Sequence, residues 1–165
     1  MNWEQLCDDK TLEGIPYRVE LTRHGQLVMS PHRSYHSIYQ SRIIRWLNTL
    51  LPDGEAMPEC PIETNIGTIV ADVAWASPQK VRRNFDLPSW VESPEIVVEV
   101  LSPSNAGEEI RKKREAVFDA GAREFWVCDR AGALQFFGPG GRLAKSRLCP
   151  KFPVHITTPR KGSRD

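Results

Sequence analysis

The stretch PEIVVEVLSPSNAGEEIRKKREAVFDAGAREFWVC, residues 94–128, decides the fold. Its opening, EIVVEVL at 95–101, is rich in valine and apolar on both faces, the pattern of a strand in the middle of a sheet. Ser102-Pro103-Ser104-Asn105 breaks that strand and caps a helix over 106–120, with Ile110, Val117 and Phe118 on its inner face. Gly121 falls where a helix ends in the left-handed conformation, and EFWVC at 124–128 is the next strand. A strand, a helix and a strand in this succession form a crossover unit. That unit demands parallel pairing and a right-handed connection.

Outward from this unit the signals change. Upstream, 17–22 and 26–30 read as a hairpin around His24-Gly25, ended by Ser30-Pro31. Ser34 is placed as an N-cap. Tyr35, Ile38, Tyr39, Ile43, Trp46, Leu47, Leu50 and Leu51 then recur at helical spacing over 34–51, and Pro52-Asp53-Gly54 stops that helix. Strands follow at 56–63 and 68–76 around the turn Asn65-Ile66-Gly67. Residues 77–93 read as a long surface loop. Downstream, 133–137 is a strand after the turn Arg130-Ala131-Gly132, and 152–156 is a final edge strand. Residues 1–13 give no firm element. Hairpins require antiparallel pairing and the crossover requires parallel pairing. The expected fold is therefore α/β, a mixed central β-sheet flanked by two main helices, in a single domain over 1–158 with a flexible basic tail at 159–165.

With 165 residues, 40% hydrophobic and 26% charged, the chain has the make-up of one soluble domain. Its apolar runs stop at three or four residues, such as Val73-Ala74-Trp75-Ala76, so no membrane span and no membrane partner is expected. The start lacks the basic and apolar regions of a secretory signal, and Cys7, Cys60, Cys128 and Cys149 form no CxxC pair. Free thiols in a cytoplasmic protein are the expectation. The net charge of +1 hides a gradient, because residues 140–165 carry seven basic residues against Asp165 alone. Two further basic clusters, Lys80-Val81-Arg82-Arg83 and Arg111-Lys112-Lys113-Arg114, are candidates to meet nucleic-acid phosphates.

Two acids are out of place. Asp72 lies inside IVADVAW and Glu99 inside EIVVEVL, where an ionised carboxylate is costly unless paired with a cation. A divalent ion between them keeps both ionised; the alternative is that each faces an arginine or a sheet end. The carbonyl of Val100 is a third hard oxygen, and oxygen ligation favours Mg²⁺ or Mn²⁺. Lys113, fourteen residues after Glu99 on the following helix, returns toward the carboxylates. There it orients or deprotonates water, or offsets charge on a reacting phosphate.

The chain resembles the Uma-type restriction endonucleases, a branch of the PD-(D/E)xK nuclease-like superfamily, over roughly residues 17–157. The resemblance is carried by PEIVVEVLSPS at 94–104, by Lys113 eight residues before GAREFWVCD at 121–129, by Asp72-Val73, and by Met29-Ser30-Pro31 with His36. It implies a restriction-endonuclease-like fold and a metal-dependent endonuclease that hydrolyses DNA phosphodiester bonds. Asp72 and Glu99 would bind Mg²⁺ (or Mn²⁺), Lys113 would be the catalytic lysine, and His36 would contact substrate or water. Glu63, on a neighbouring strand, would extend the acidic pocket. The superfamily's usual lysine position holds Leu101, a shift that is common in this family. Ala71 and Val117 replace the family's proline and tyrosine without removing a ligand. Lys80, Arg82, Arg83, Arg111 and Lys112 would touch the nucleic acid, and a homodimer would cut both strands. The competing readings are a catalytically weak or inactive nucleic-acid-binding domain, and a dimeric interaction protein using Trp3, Trp75, Trp90 and 77–93.

Overall fold

The computed structural model describes residues 2–31, 33–103 and 107–157. The elements are α1 (Trp3–Cys7), a 3-10 turn (Lys10–Leu12), β1 (Tyr17–Thr22), β2 (Leu27–Pro31), α2 (Ser34–Leu50), β3 (Glu55–Thr64) and β4 (Gly67–Ala76). Then come α3 (Pro78–Asn84), β5 (Ile96–Val100), α4 (Gly107–Asp119), β6 (Glu124–Cys128), β7 (Leu134–Gly138) and β8 (Gly141–Leu143). The strands make one sheet in the order β2-β1-β4-β5-β6-β7-β8, with β3 also on β4. β5 and β6 are parallel, from Ile96 opposite Glu124 to Val100 opposite Cys128, with α4 between them in the chain. The pairs on either side are antiparallel. The mixed α/β sheet read from the sequence is the fold.

The α4 terminus shows how local chemistry sets these boundaries. Gly121 has φ 102°, its N–H bonds Phe118 O, and Ala122 N–H bonds Val117 O. This is a Schellman closure, which satisfies the last carbonyls and needs a residue at ease in the left-handed region. The helix then hands the chain directly to β6.

Alternate residues of β5 feed two cores. Ile96, Val98 and Val100 pack with Tyr39, Ile43 and Leu47 of α2, while Val97 packs with Val117 of α4 and with Phe125 and Val127 of β6. The two helices thus cover opposite faces of the sheet. Each fully buried aliphatic side chain of this kind contributes about 1.5–3 kcal/mol.

β4 has three partners but only two edges. β3 runs along one edge for its whole length, from Thr64 opposite Gly67 to Glu55 opposite Ala76. The other edge is shared. β1 takes only Thr68 and Gly67, and β5 takes only Val73, Ala74 and Trp75. Between them, residues 69–72 of β4 face a fork where the sheet divides. Gly67, at φ 125°, fixes one prong, since a Cβ there would stand 2.2 Å from Leu21 O.

Several expectations change. Residues 77–93 are not one loop: they contain α3, which starts with Pro78 after Ser77, and Trp90 makes a parallel bridge with Ile62. Residues 152–156 form no strand. Ala133 and His155 make an isolated bridge, Pro150 and Pro153 cannot donate to a ladder, and the edge strand is β8 instead. Ser34 begins α2, and Arg33 is its N-cap without a side-chain bond. Ile38 and Trp46 are exposed, because the buried stripe of α2 runs through His36, Tyr39, Gln40, Ile43 and Leu47. Trp75 and Trp90 pack against the cores, and Trp3 is partly buried. Ser104, Asn105 and the tail at 159–165 lie outside the described residues.

Candidate active site

The fork gathers Asp72, Glu99, Lys113 and His36 of the side chains that the sequence singles out. Asp72 reaches it through an irregularity in β4. Ile69 and Ala71 pack on the α4 side, as regular alternation requires, but Val73 packs on the α2 side. The alternation therefore slips at Asp72. Opposite it on β3 stands Glu59, whose φ of 48° makes it the one non-glycine residue with positive φ among the described residues. Gln40 of α2 ties the two together: its Nε2 donates to Asp72 O (2.9 Å) and to Glu59 Oε1 (2.6 Å).

The Asp72 carboxylate is fully buried and surrounded by donors. Val100 N–H donates to Oδ2 at 2.7 Å, His36 Nε2 is 3.1 Å from the same oxygen, and Arg18 Nη1 donates to Oδ1. Glu99, on the α4 side of β5, is 2% exposed. Its Oε2 lies 3.8 Å from Lys113 Nζ and 3.8 Å from Arg18 Nη2, and no described group hydrogen-bonds its Oε1. Lys113 enters from α4, with Nζ 2.8 Å from Glu20 Oε1. Glu20 Oε1 also accepts Val70 N–H at 3.1 Å, so a side chain from β1 takes the place of a missing ladder bond.

These contacts set the protonation states. Burial drives the Asp72 pKa upward, but the His36 hydrogen bond and Arg18 outweigh it and hold the carboxyl below its usual range. Glu99 goes the other way: burial pushes it up to about 7, against the pull of Lys113. Burial opposes the charge of Lys113, yet Glu99 and Glu20 raise its pKa. As placed, Lys113 is therefore an ammonium donor. Burial opposes the charge of His36 too, and the Asp72 hydrogen bond overcomes it, raising the pKa.

The donors fit a hard divalent ion in kind. Asp72 and Glu99 supply carboxylates, and Glu99 Oε1 is a buried oxygen with no hydrogen-bond partner among the described residues. Val100 turns its N–H toward Asp72, and a strand residue directs its C=O to the same side. Mg²⁺ is commonly held by one or two carboxylates with water completing the shell. As placed, no three acidic, histidine or cysteine side chains among the described residues stand at chelating distance, and Arg18 holds Asp72 Oδ1. The donor set thus fits such an ion in kind, with Asp72 Oδ1 taken by Arg18.

A narrow mouth opens onto this cluster, lined by Arg18, Ser30, Arg33, Tyr35, His36 and Ser102 among others. Glu63 does not join it: the side chain is exposed and accepts Ser89 Oγ at 2.7 Å. Lys80 does not present itself to a partner either. It is buried, donating to Ser93 O (2.6 Å) and Gly121 O (3.3 Å) and paired with Glu92 (3.1 Å). Arg82, Arg83, Arg111 and Lys112 are exposed; Arg83 faces Glu92, and Arg111 and Lys112 face Glu108. Sequence reasoning missed Arg18, Glu20, Gln40 and Glu59. The signal for the first two was available, since Arg18 and Glu20 alternate with Val19 and Leu21 in β1 and so share a face.

No curated protein matches the chain. Among solved structures it is similar to a protein of Anabaena variabilis titled a "putative nuclease belonging to DUF820". The identity is 16%, the match covers 84% of this chain and 80% of that one, and the TM-score is 0.68, which shows a shared fold. The Uma2 family, described as "Putative restriction endonuclease", matches residues 3–148. With Asp72, Glu99 and Lys113 brought together at the fork of such a sheet, and the match spanning most of its length, the chain belongs to the Uma2 family.

Proposed function

We propose that this protein is an endonuclease that hydrolyses DNA phosphodiester bonds at the fork where β1 and β5 share one edge of β4. One observation carries the reading: two buried carboxylates from adjacent strands, Asp72 and Glu99, share the Arg18 guanidinium, and α4 delivers the Lys113 ammonium to within 3.8 Å of Glu99. Asp72, Glu99 and the Val100 carbonyl would hold Mg²⁺ or Mn²⁺. Such an ion supplies a lowered pKa for water and polarises a phosphoryl oxygen.

The chain's own residues do the rest. Lys113, held between Glu20 and Glu99, offsets negative charge that develops on the phosphate. His36 braces Asp72 from α2 and reaches the mouth, where it meets substrate or water. Arg33, Ser30 and Ser102 line the same opening and receive a phosphate oxygen. The exposed Arg82, Arg83, Arg111 and Lys112 attract the backbone from further out, so binding weakens steeply with salt. A homodimer would place one site on each strand, and a cytoplasmic location suits a DNA substrate. Among the described residues no helix is long and apolar enough to cross a membrane.

Nicking of supercoiled plasmid tests the proposal. Cleavage should require Mg²⁺ or Mn²⁺ and fall at least about 100-fold in Asp72→Asn and Glu99→Gln, the usual scale for a lost charge-stabilising group. Undiminished cleavage in either variant would refute the assignment. A second reading, a nucleic-acid-binding domain with little or no cleavage, draws on Arg18, which already neutralises Asp72. Binding of DNA at low salt without nicking at any cation concentration would favour it.

A further inference from the structure

Arg18 bridges the two carboxylates that would hold a cation. Its Nη1 bonds Asp72 Oδ1, and its Nη2 lies 3.8 Å from both Glu20 Oε1 and Glu99 Oε2. Oδ2 of Asp72 is engaged from two other directions, by His36 and by the Val100 N–H. Oδ1 is thus the oxygen that a single side-chain movement frees. The charges point the same way. Glu20, Asp72 and Glu99 face Arg18 and Lys113, with His36 as a further cation when protonated. The cluster is near neutrality by itself. A divalent ion added to it leaves excess positive charge in a dry pocket, which is strongly unfavourable. With Arg18 gone, the same ion meets net negative charge.

Arg18 also has a place to go. Besides lining the mouth, it lines a second, open groove with Tyr17, Ser37, Gln40 and Glu59. Glu59 is exposed and carries a carboxylate suited to a guanidinium.

We propose that Arg18 is a latch displaced by the divalent cation: its guanidinium holds Asp72 and Glu99 together in the ion's absence, and turns outward to Glu59 when the ion binds. The proposal rests on the metal-dependent reading above, and gives the site a built-in competitor that weakens cation binding.

Calcium binding to the full chain, followed by isothermal titration calorimetry, tests this without reference to cleavage. Arg18→Gln should bind Ca²⁺ about tenfold or more tightly than wild type, because a competing charge leaves the ligand itself. Lys113→Gln removes the same charge but releases no oxygen of Asp72, and should gain much less. Glu59→Gln keeps an acceptor for Gln40 while removing the landing charge. It should weaken Ca²⁺ binding in the wild-type background and change nothing alongside Arg18→Gln. Equal tightening by Arg18→Gln and Lys113→Gln would reduce the effect to general electrostatics and overturn the latch. So would an Arg18→Gln affinity no better than wild type. If neither wild type nor Arg18→Gln binds Ca²⁺, the latch and the metal-dependent reading fall together. Should Arg18→Gln fail to unfold cooperatively by circular dichroism, Glu59→Gln carries the test, and an unchanged affinity there overturns the latch.

Discussion

Glu99 and Glu124 start from the same circumstances and end with different chemistry. They lie on neighbouring parallel strands, and each is 2% exposed. Glu124 is fully served. Oε2 accepts Trp126 Nε1 and Ser146 Oγ, both at 2.7 Å, and Oε1 accepts the backbone N–H of Arg147 (2.7 Å) and Leu148 (2.9 Å). It is a clamp that fixes the segment around Ser146 to the end of the sheet. Glu99 has two cations at 3.8 Å on one oxygen and no hydrogen-bond partner among the described residues on the other. Burial of a carboxylate in a strand therefore does not mark a reactive site. What sets the candidate site apart is hydrogen-bonding capacity that the surrounding chain leaves unused.

The comparison breaks if the two respond alike to mutation. Glu124→Ala strands four donors in the interior and should cost about 3–5 kcal/mol in urea unfolding with an unchanged slope. Glu99→Gln, measured without divalent ions, should be neutral or stabilising at pH 8, since it removes a buried charge. Equal losses would make Glu99 another clamp. The pH dependence sharpens the point. The folded Glu99 is pushed up to about 7, whereas an unfolded glutamate titrates near ~4.3. Between those values the folded state holds a proton that the unfolded state has released. Stability from this group is complete below the lower value and is lost as pH rises through the upper one. Wild type should lose stability between about pH 4 and 7 relative to Glu99→Gln, a difference read by thermal unfolding in chelator. A flat difference curve would mean that Glu99 is ionised throughout.

How much of this was legible follows from what each feature depends on. The parallel unit of β5, α4 and β6 depends on local periodicity, a helix stop and two strands, all within one stretch of chain, and it formed as read. The approach of Asp72 and Glu99 was also legible, because acids inside apolar strands are conspicuous, and Lys113 followed from its place on the next helix and from the family resemblance. The fork was not. It depends on β1 and β5 sharing one edge of β4, and pairing partners are not written in either strand. Nor was the slip at Asp72, which is set by Glu59 across the ladder and held by Gln40. The α2 stripe shows the same limit. Its apolar spacing pointed Ile38 and Trp46 inward, but the helix is turned so that His36 and Gln40 reach the site.

Gln40 gives a middle-sized test of that turn. Gln40→Ala removes the donor shared by Asp72 O and Glu59 Oε1, and should cost about 1–2 kcal/mol, the scale of a buried hydrogen bond with one acceptor left unpaired. Its larger effect should fall on function. With the kink untied, Asp72 loses its fixed direction, and nicking should drop more than stability does. A variant that lost stability but kept full nicking would show that Asp72 is held by Val100 and His36 alone.

The two basic clusters give the smallest effect and extend the contrast from acids to cations. Lys80 is committed to Ser93 O, Gly121 O and Glu92 inside the fold, as Glu124 is committed to its donors. Arg111 and Lys112 lie on the exposed side of α4 and, among the described residues, pair with exposed glutamates of the same helix. Exposed pairs of this kind are screened and contribute little. Replacing Arg111 and Lys112 by alanine should change stability by less than about 0.5 kcal/mol. If they meet DNA, the slope of log affinity against log salt should become shallower by about one for each phosphate that is no longer neutralised. A slope identical to wild type would place the DNA on another face, leaving the mouth beside Arg33 as the entrance it must still reach.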